Sequence, residues 1–180
     1  MPGMTWIISP EPAASQEADD VLYAFTHEVA SRYYGRDATD AEVRVALGPD
    51  EMLAPPRAML LVARSLFGPE PEEVASRTGP AAQLAPEFSG CVGVRLLQPG
   101  IAELKRLWVV PDQRGGGLGS LLVTRAEQVA REQWGAERVR LDTRSDLVES
   151  RKLYAKLGYG EIDRYNSAQY AEHWLEKRFG

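Results

Sequence analysis

One stretch of the chain, residues 109–120, constrains the fold more than any other. An apolar run over 104–110 ends in a turn, and four glycines follow within five residues, at Gly115, Gly116, Gly117 and Gly119. The next residues repeat their apolar side chains at helical spacing, so the pattern predicts a strand, a glycine-rich loop and then a helix. Such a loop presents backbone N–H groups to an anion. Because four glycines cost considerable backbone entropy, they favour a closely approaching ligand over a plain turn.

The composition restricts the class of protein. With 180 residues, 44% of them apolar and 26% charged, the chain is predicted to form one soluble domain over 1–180. No apolar run approaches the roughly 18 residues of a membrane span, and residues 1–12 lack the pattern of a secretion signal. The single cysteine, Cys91, suits a reducing cytoplasm and has no catalytic partner at a recognisable spacing.

The net charge of −5 is unevenly distributed. Residues 1–100 contain 7 Lys and Arg against 14 Asp and Glu, whereas residues 101–180 contain 14 against 12. This pattern fits an anionic cofactor on the second half and a cationic substrate on the first, or simply solvated helix faces. No basic stripe with interleaved aromatics occurs, so nucleic acid is not an expected partner. His27 and His173 give no metal-ligand spacing, so no metal is expected.

The order of predicted elements indicates an α/β (α+β) architecture with a mixed sheet. Residues 65–89, rich in Pro, Ala, Gly and Glu, are predicted to form a surface loop insertion with one helical turn at 71–76. Pro10 and Pro12 are expected to end the first strand. The predicted strands are 5–9, 58–64, 90–98, 101–110, 138–143, 159–165 and 173–179, and the predicted helices are 15–34, 40–47, 118–134 and 147–157.

Two well-known phosphate-binding loops match the glycines poorly. A P-loop requires Lys and Ser or Thr directly after its last glycine, and no lysine follows here. The dinucleotide fingerprint requires G-x-G-x-x-G, whereas Gly115, Gly117 and Gly119 form G-x-G-x-G. Glu137 lies about twenty positions further on, but it begins a predicted strand rather than ending one.

A third template matches closely. Residues 114–119, RGGGLG, resemble the Arg/Gln-x-x-Gly-x-Gly/Ala loop of the GNAT superfamily of acyl-CoA-dependent N-acyltransferases. Residues 102–111 resemble the central strand of that family, and LYAKLGY at 153–159 resembles the end of one of its helices. The similarity extends over residues 91–179. It implies a mostly antiparallel sheet of about seven strands flanked by about four helices, with acetyl-CoA as co-substrate.

The resemblance also assigns cofactor-binding residues. It places the coenzyme pyrophosphate on the loop and the helix N-terminus, which suits an anion. The pantetheine arm pairs with a strand where two neighbouring strands of the family splay apart. The residues so assigned are Leu107, Trp108, Val109, Arg114, Gly115, Gly116, Gly117, Leu118, Gly119 and Ser120. Many relatives also carry a contacting asparagine where Leu147 stands here, so that contact is expected to be absent or supplied by Ser145 or Asp146.

The reaction implied is direct attack by a neutral primary amine on the acetyl thioester. It needs a base for the ammonium proton, donors for the oxyanion and an acid for the thiolate. Tyr154 matches the tyrosine with which many family members protonate the thiolate. Glu103 matches a glutamate that some members use as base, and strand alternation predicts it on the face of Lys105, Leu107 and Val109. A salt bridge is an equally good explanation of Glu103.

The acceptor is the least determined part of the prediction. The acidic first half of the chain suggests a small cationic amine, and a protein N-terminus or lysine is the alternative. A non-catalytic acyl-CoA-binding or sensor module on the same fold is the alternative function. A homodimer is possible, since dimers are common in the family. The aromatic residues in segments that usually wall the acceptor pocket are Tyr33, Tyr34, Tyr165, Tyr170 and Trp174. For any one of them, packing in the core is the favoured explanation.

Overall fold

The structure, a computed structural model, describes residues 5–48, 53, 55–66 and 88–180. Its strands form one seven-stranded sheet in the order β1-β2-β3-β4-β5-β7-β6, and among the described strands only β4 and β5 pair in parallel. The predicted mixed, mostly antiparallel α/β fold is therefore confirmed. The strands are Trp6–Glu11 (β1), Ala58–Ser65 (β2), Phe88–Gln98 (β3), Ile101–Val109 (β4), Arg138–Thr143 (β5), Gly160–Glu161 (β6) and His173–Arg178 (β7). The helices are Gln16–Tyr34 (α1), Asp40–Leu47 (α2), Leu118–Trp134 (α3) and Val148–Lys156 (α4), with a 3₁₀ turn at Pro111–Gln113.

Helices cover both faces of the sheet. The core on one face contains α3 and α4 side chains, and the core on the other contains side chains of α1. Successive residues of β2 alternate between them, with Leu61 in the α3 core and Leu60 and Val62 in the α1 core. β2 is therefore buried on both faces. No helix within the described ranges is long and apolar enough to cross a membrane.

The ends of α1 and α2 carry local capping residues. Ser15 caps α1 by accepting a bond from the N–H of Ala18, and Gly35 ends it at a φ of 66°. Thr39 begins α2 with a complete capping box that includes Glu42. These bonds satisfy backbone groups that the helix itself leaves without partners, so the boundaries of α1 and α2 are set locally.

Three strand predictions were wrong at their ends. β3 begins at Phe88, two residues before the predicted start. β1 continues through Pro10 to Glu11, because it is an edge strand paired with β2 alone and proline is tolerated at an open edge. β6 contains two residues rather than the whole of 159–165. Beyond it the chain leaves the sheet, since the side chains of Tyr165 and Asn166 donate hydrogen bonds to carboxylates on β4 and β5.

The predicted insertion lies between β2 and β3. β2 ends at Ser65 and β3 begins at Phe88. Residues 67–87, including the helical turn predicted at 71–76, lie outside the described residues. The surface loop and the single domain over 1–180 therefore stay predictions.

A β-bulge at Arg106 changes which way the end of β4 faces. Cys91 pairs with Trp108 but Gly93 pairs with Lys105, so β4 holds one extra residue, and Arg106 adopts a φ of 57°. The predicted alternation is therefore broken. Glu103 and Lys105 lie on the face opposite Leu104, whereas Leu107 and Val109 pack into the same α3 core as Leu104. The prediction that Glu103 shares a face with Leu107 and Val109 was wrong.

β4 and β5 separate after a short parallel segment. Ile101 to Glu103 pair with Arg138 to Arg140, and no further pairs between the two strands occur in the described part of the chain. β4 then stays with β3 as far as Val109, while β5 stays with β7 as far as Thr143. β5 does not pair with β4 along 104–109 in the described part of the chain, and the cavities described below lie beside this edge.

Gly90 of β3 lies against the backbone of β4. A Cβ here would stand 2.4 Å from the carbonyl oxygen of Trp108 and 3.2 Å from the Cα of Val109, so the backbone would have to move. We expect Gly90→Ala to lower the free energy of unfolding by about 2–3 kcal/mol, measured by urea denaturation. Gly160→Ala is the matched control, because a Cβ at this strand glycine meets nothing within 4 Å. An equal loss in both variants would contradict the steric explanation.

Candidate active site

A cavity of about 320 Å³ lies at the N-terminus of α3, and we call it the loop cavity. Residues of α1, the end of β4, the glycine-rich loop and α4 form its lining. All the predicted cofactor residues line it except Gly116, at which a Cβ would stand 3.1 Å from the Trp6 ring. Those that line it are Leu107, Trp108, Val109, Arg114, Gly115, Gly117, Leu118, Gly119 and Ser120.

The backbone N–H groups at this end of α3 form an anion site. Among the described residues no acceptor is found for the N–H groups of 115–120, and the first bond of the helix joins the Leu121 N–H to the Gly117 carbonyl at 3.2 Å. Gly115 and Gly117 have φ angles of 82° and 93°, in the left-handed region that favours glycine. A row of consecutive unbonded N–H groups at a helix N-terminus attracts an anionic group such as a phosphate.

A carboxylate on α1 lies beside this anion site. Glu28 accepts bonds from Nη2 of Arg114 at 2.7 and 2.8 Å and from Nε1 of Trp108 at 2.8 Å. The Arg114 Nε also donates to the carbonyl of Val109 at 2.9 Å. The guanidinium is thus held at the end of β4, and Glu28 competes with any phosphate for its charge.

A second cavity, of about 290 Å³, lies between the separated strands β4 and β5, and we call it the splay cavity. It is lined by 104–107 of β4, by 142–143 at the end of β5 and Arg144 after it, by Tyr154 of α4 and by residues of α1 and 168–171. The two cavities adjoin, since both are lined by Phe25, Val29, Leu107, Leu147 and Ser150.

Tyr154 presents its hydroxyl to the splay cavity. The hydroxyl has no hydrogen-bond partner among the described residues. If it were also fully buried, it would be a buried polar atom without a partner, but within the described residues the Ser89 Oγ is the one such side-chain atom. The Tyr154 hydroxyl is therefore accessible from the cavity, although the residue is 6% exposed. Burial, and secondarily the charge of Asp142, raise the pKa of Tyr154 above its ordinary value of 10.0. The group is a protonated donor at neutral pH.

Glu103 lies away from both cavities. Its carboxylate is fully buried and accepts bonds from the Arg95 guanidinium at 2.6 Å and from the Tyr165 hydroxyl at 2.8 Å. The Lys105 Nζ lies 3.4 Å from it. Glu103 lines neither cavity, so its position favours the salt-bridge explanation over the role of base.

The predicted acceptor-pocket aromatics fall into two groups. Tyr165 and Trp174 do not line the splay cavity and belong to the polar layer around Glu103, where the Trp174 Nε1 donates to Asn166 at 2.8 Å. The others line the splay cavity and are about half exposed, so the expectation of core packing does not hold for Tyr33, Tyr34 and Tyr170.

Other predicted contacts are placed differently from expectation. Ser145 and Asp146 line neither cavity. Leu147 lines both, and the polar residue nearby that lines both is Ser150, four positions before Tyr154 on α4. Helical spacing from Tyr154 could have identified Ser150. The sequence analysis also did not identify Glu28 and Asp142 as residues of the site. No local sequence pattern indicates this role for either residue, because their neighbours at the site come from other elements.

Cys91 is a buried core residue. It is fully buried on β3, and burial raises the pKa of its thiol to about 12. Within the ranges that the structure describes, no group of three or more His, Cys, Asp or Glu could hold a metal ion.

Comparison with known proteins bears on this site directly. Residues 56–159 match the acetyltransferase (GNAT) family. The chain belongs to the GNAT acetyltransferase family. It is also 32% identical over 134 residues to an uncharacterised N-acetyltransferase of Schizosaccharomyces pombe, covering 73% of this chain and 71% of that protein. The protein is therefore an acyltransferase enzyme.

Solved structures of GNAT proteins share the fold. An acetyltransferase from Staphylococcus aureus Mu50 has a TM-score of 0.70 at 12% identity, covering 97% of this chain and 99% of that one. PaiA N-acetyltransferase from Thermoplasma acidophilum, in complex with coenzyme A, has a TM-score of 0.67 at 16% identity, covering 98% and 100%. At these identities the likeness establishes the fold alone.

Replacing Glu28 by Gln removes the carboxylate that competes for Arg114. We expect Glu28→Gln to tighten coenzyme A binding about twofold to fivefold in isothermal titration calorimetry, as suits a partly exposed charge interaction. Glu17→Gln is the control, because Glu17 lies on the same helix and also pairs with an arginine, Arg64, but does not line the loop cavity. Weaker binding by Glu28→Gln would show that Glu28 instead prepares Arg114 for the ligand.

Proposed function

We propose that this enzyme transfers the acetyl group of acetyl-CoA to a primary amine by direct attack of the amine on the thioester. The observation that carries the proposal is the pair of adjoining cavities. One presents the unbonded N–H groups of 115–120, and the other presents the Tyr154 hydroxyl. Membership of the GNAT family supports the class of reaction, and the coenzyme A bound to the Thermoplasma acidophilum protein supports the class of cofactor.

Acetyl-CoA fits the loop cavity by its charge and its amides. Its diphosphate suits the N–H groups of 115–120 and the guanidinium of Arg114, once that group exchanges Glu28 for phosphate. The amide-bearing pantetheine arm suits the open backbone edge at 107–109, because β5 does not pair with that edge. The acetyl end then comes to the junction of the two cavities.

The acceptor amine occupies the splay cavity in this proposal. Its neutral nitrogen attacks the thioester carbon, a C–N bond forms and the C–S bond breaks. The Tyr154 hydroxyl gives its proton to the departing thiolate, and the proton lost by the nitrogen returns to Tyr154 through water. Because its pKa is raised, Tyr154 holds this proton at neutral pH.

Glu103 has a positioning role in the same proposal. Its partners come from β3, β4 and the segment after β6, so the carboxylate joins three parts of the chain behind the site. Lys105, which it contacts, bridges the opening between β4 and β5 to Asp142 at 2.6 Å. The network thereby sets the width of the opening into which the acceptor enters.

Coenzyme A release tests the proposal most simply. The purified protein and acetyl-CoA are mixed with a panel of monoamines, amino acids, polyamines, aminoglycosides and peptides. The proposal expects amine-dependent release with at least one class and a mass increase of one acetyl group in the product. Acetyl-CoA binding without transfer to any amine would favour an acyl-CoA sensor instead.

Replacing Tyr154 by Phe removes the proposed proton donor and keeps the ring. We expect kcat to fall about 100-fold, since general acid catalysis contributes about 10²–10⁴, while the KM for acetyl-CoA changes less than about twofold. Tyr159→Phe is the matched control, because Tyr159 packs 5.7 Å from Tyr154, donates to Glu127 and lines neither cavity. Unchanged turnover by Tyr154→Phe would rule out this mechanism.

A further inference from the structure

The splay cavity offers one carboxylate to an acceptor. Its charged lining residues in the described part of the chain are Lys105, Arg106, Arg144 and Asp142. Lys105 contacts Glu103 and Asp142, and the Arg144 guanidinium is paired with Asp146. The lining therefore has no excess of negative charge, and a substrate with several ammonium groups would bring most of them beside cationic side chains.

The carboxylate of Asp142 is bonded at one oxygen and open at the other. Its Oδ2 accepts from the Lys105 Nζ at 2.6 Å and from the Asn166 Nδ2 at 2.8 Å. Its Oδ1 has no donor among the described residues. This oxygen retains some accessible surface, because the Ser89 Oγ is the one fully buried side-chain polar atom without a partner in the described part of the chain. The two bonds to Oδ2 hold the carboxylate in place while Oδ1 remains available to a donor in the cavity.

The entrance to the same cavity is aromatic. Tyr33, Tyr34 and Tyr170, here called the aromatic rim, line it and are about half exposed. Tyr33 makes edge-to-face contacts with Tyr34 at 5.3 Å and with Tyr170 at 5.0 Å between ring centroids. Rings held in this way give a planar or apolar body large contact area at low entropic cost.

We propose that the acceptor is a monoamine with an aromatic or apolar body. Its ammonium group binds the Oδ1 of Asp142 and loses one proton to solvent water before the nitrogen attacks the thioester, and its body lies against the aromatic rim. The inference rests on the proposed function, in which the splay cavity is the acceptor site. It narrows the expectation of a small cationic amine to one with a single ammonium group, because the acidity of the first half of the chain does not extend to the lining of this cavity.

Binding to the protein saturated with coenzyme A tests this inference without requiring turnover. The probes for isothermal titration calorimetry are 2-phenylethylamine, its neutral analogue 2-phenylethanol, and spermidine. We expect 2-phenylethylamine to bind at least tenfold more tightly than either of the others. Asp142→Asn should abolish the preference for amine over alcohol while the Kd of the alcohol changes less than twofold. Asp163→Asn, which alters an exposed carboxylate that lines neither cavity, should retain the preference.

The outcomes separate this inference from the proposed function. Tighter binding of spermidine, equal binding of amine and alcohol by the unaltered protein, or a preference that survives Asp142→Asn would each overturn the inference. Normal binding of the alcohol shows that Asp142→Asn is folded, and the comparison within the unaltered protein does not depend on that variant. Selective amine binding without acetyl transfer to any amine would overturn the proposed function alone.

Discussion

The short parallel pairing of β4 with β5 is the constraint on which the site depends. Three residue pairs hold the strands together, and both strands then continue along different neighbours. Because α3 connects them, its N-terminus lies at the far end of β4, where the strand edge has lost its partner. An anion site, an open strand edge and an enclosed space between the strands therefore occur together.

The bulge at Arg106 and the polar layer around Glu103 adapt the sheet to this opening. The bulge directs Leu107 and Val109 to the α3 face and Trp108 to the α1 face, where its indole reaches Glu28. A fully buried carboxylate such as Glu103 is tolerated only when paired, and removing one partner of such a group is strongly destabilising. Its partners span β3, β4 and the segment after β6, so the layer fixes the geometry beside the splay cavity.

The parts of the structure that depend on local sequence could be predicted. The caps at Ser15, Thr39 and Gly135 define helix ends within a few residues. The glycine-rich loop is also recognisable from local sequence, because its backbone conformation favours glycine. The bulge could not be predicted, because it is a property of the register between β3 and β4 rather than of either strand. The early end of β6 depends on bonds from Tyr165 and Asn166 to carboxylates far away in the chain.

The candidate site likewise contains some residues that local sequence could predict and others that depend on how distant segments pack together. The residues of the loop cavity were predictable because most of them follow one another along the chain. Glu28 and Asp142 were not, since each acquires its neighbours only when separate elements pack together. Glu103 illustrates the point most clearly, because a buried ion pair and a general base look alike in sequence and differ in their surroundings.

Backbone amide chemical shifts test the central claim most directly. The account predicts that titrating coenzyme A into ¹⁵N-labelled protein shifts the amide signals of 115–120 most strongly, and those of 107–109 as well, while inorganic diphosphate shifts the first group alone. Amides of 115–120 that stay unchanged at saturating coenzyme A, with the largest shifts elsewhere in the chain, would contradict it.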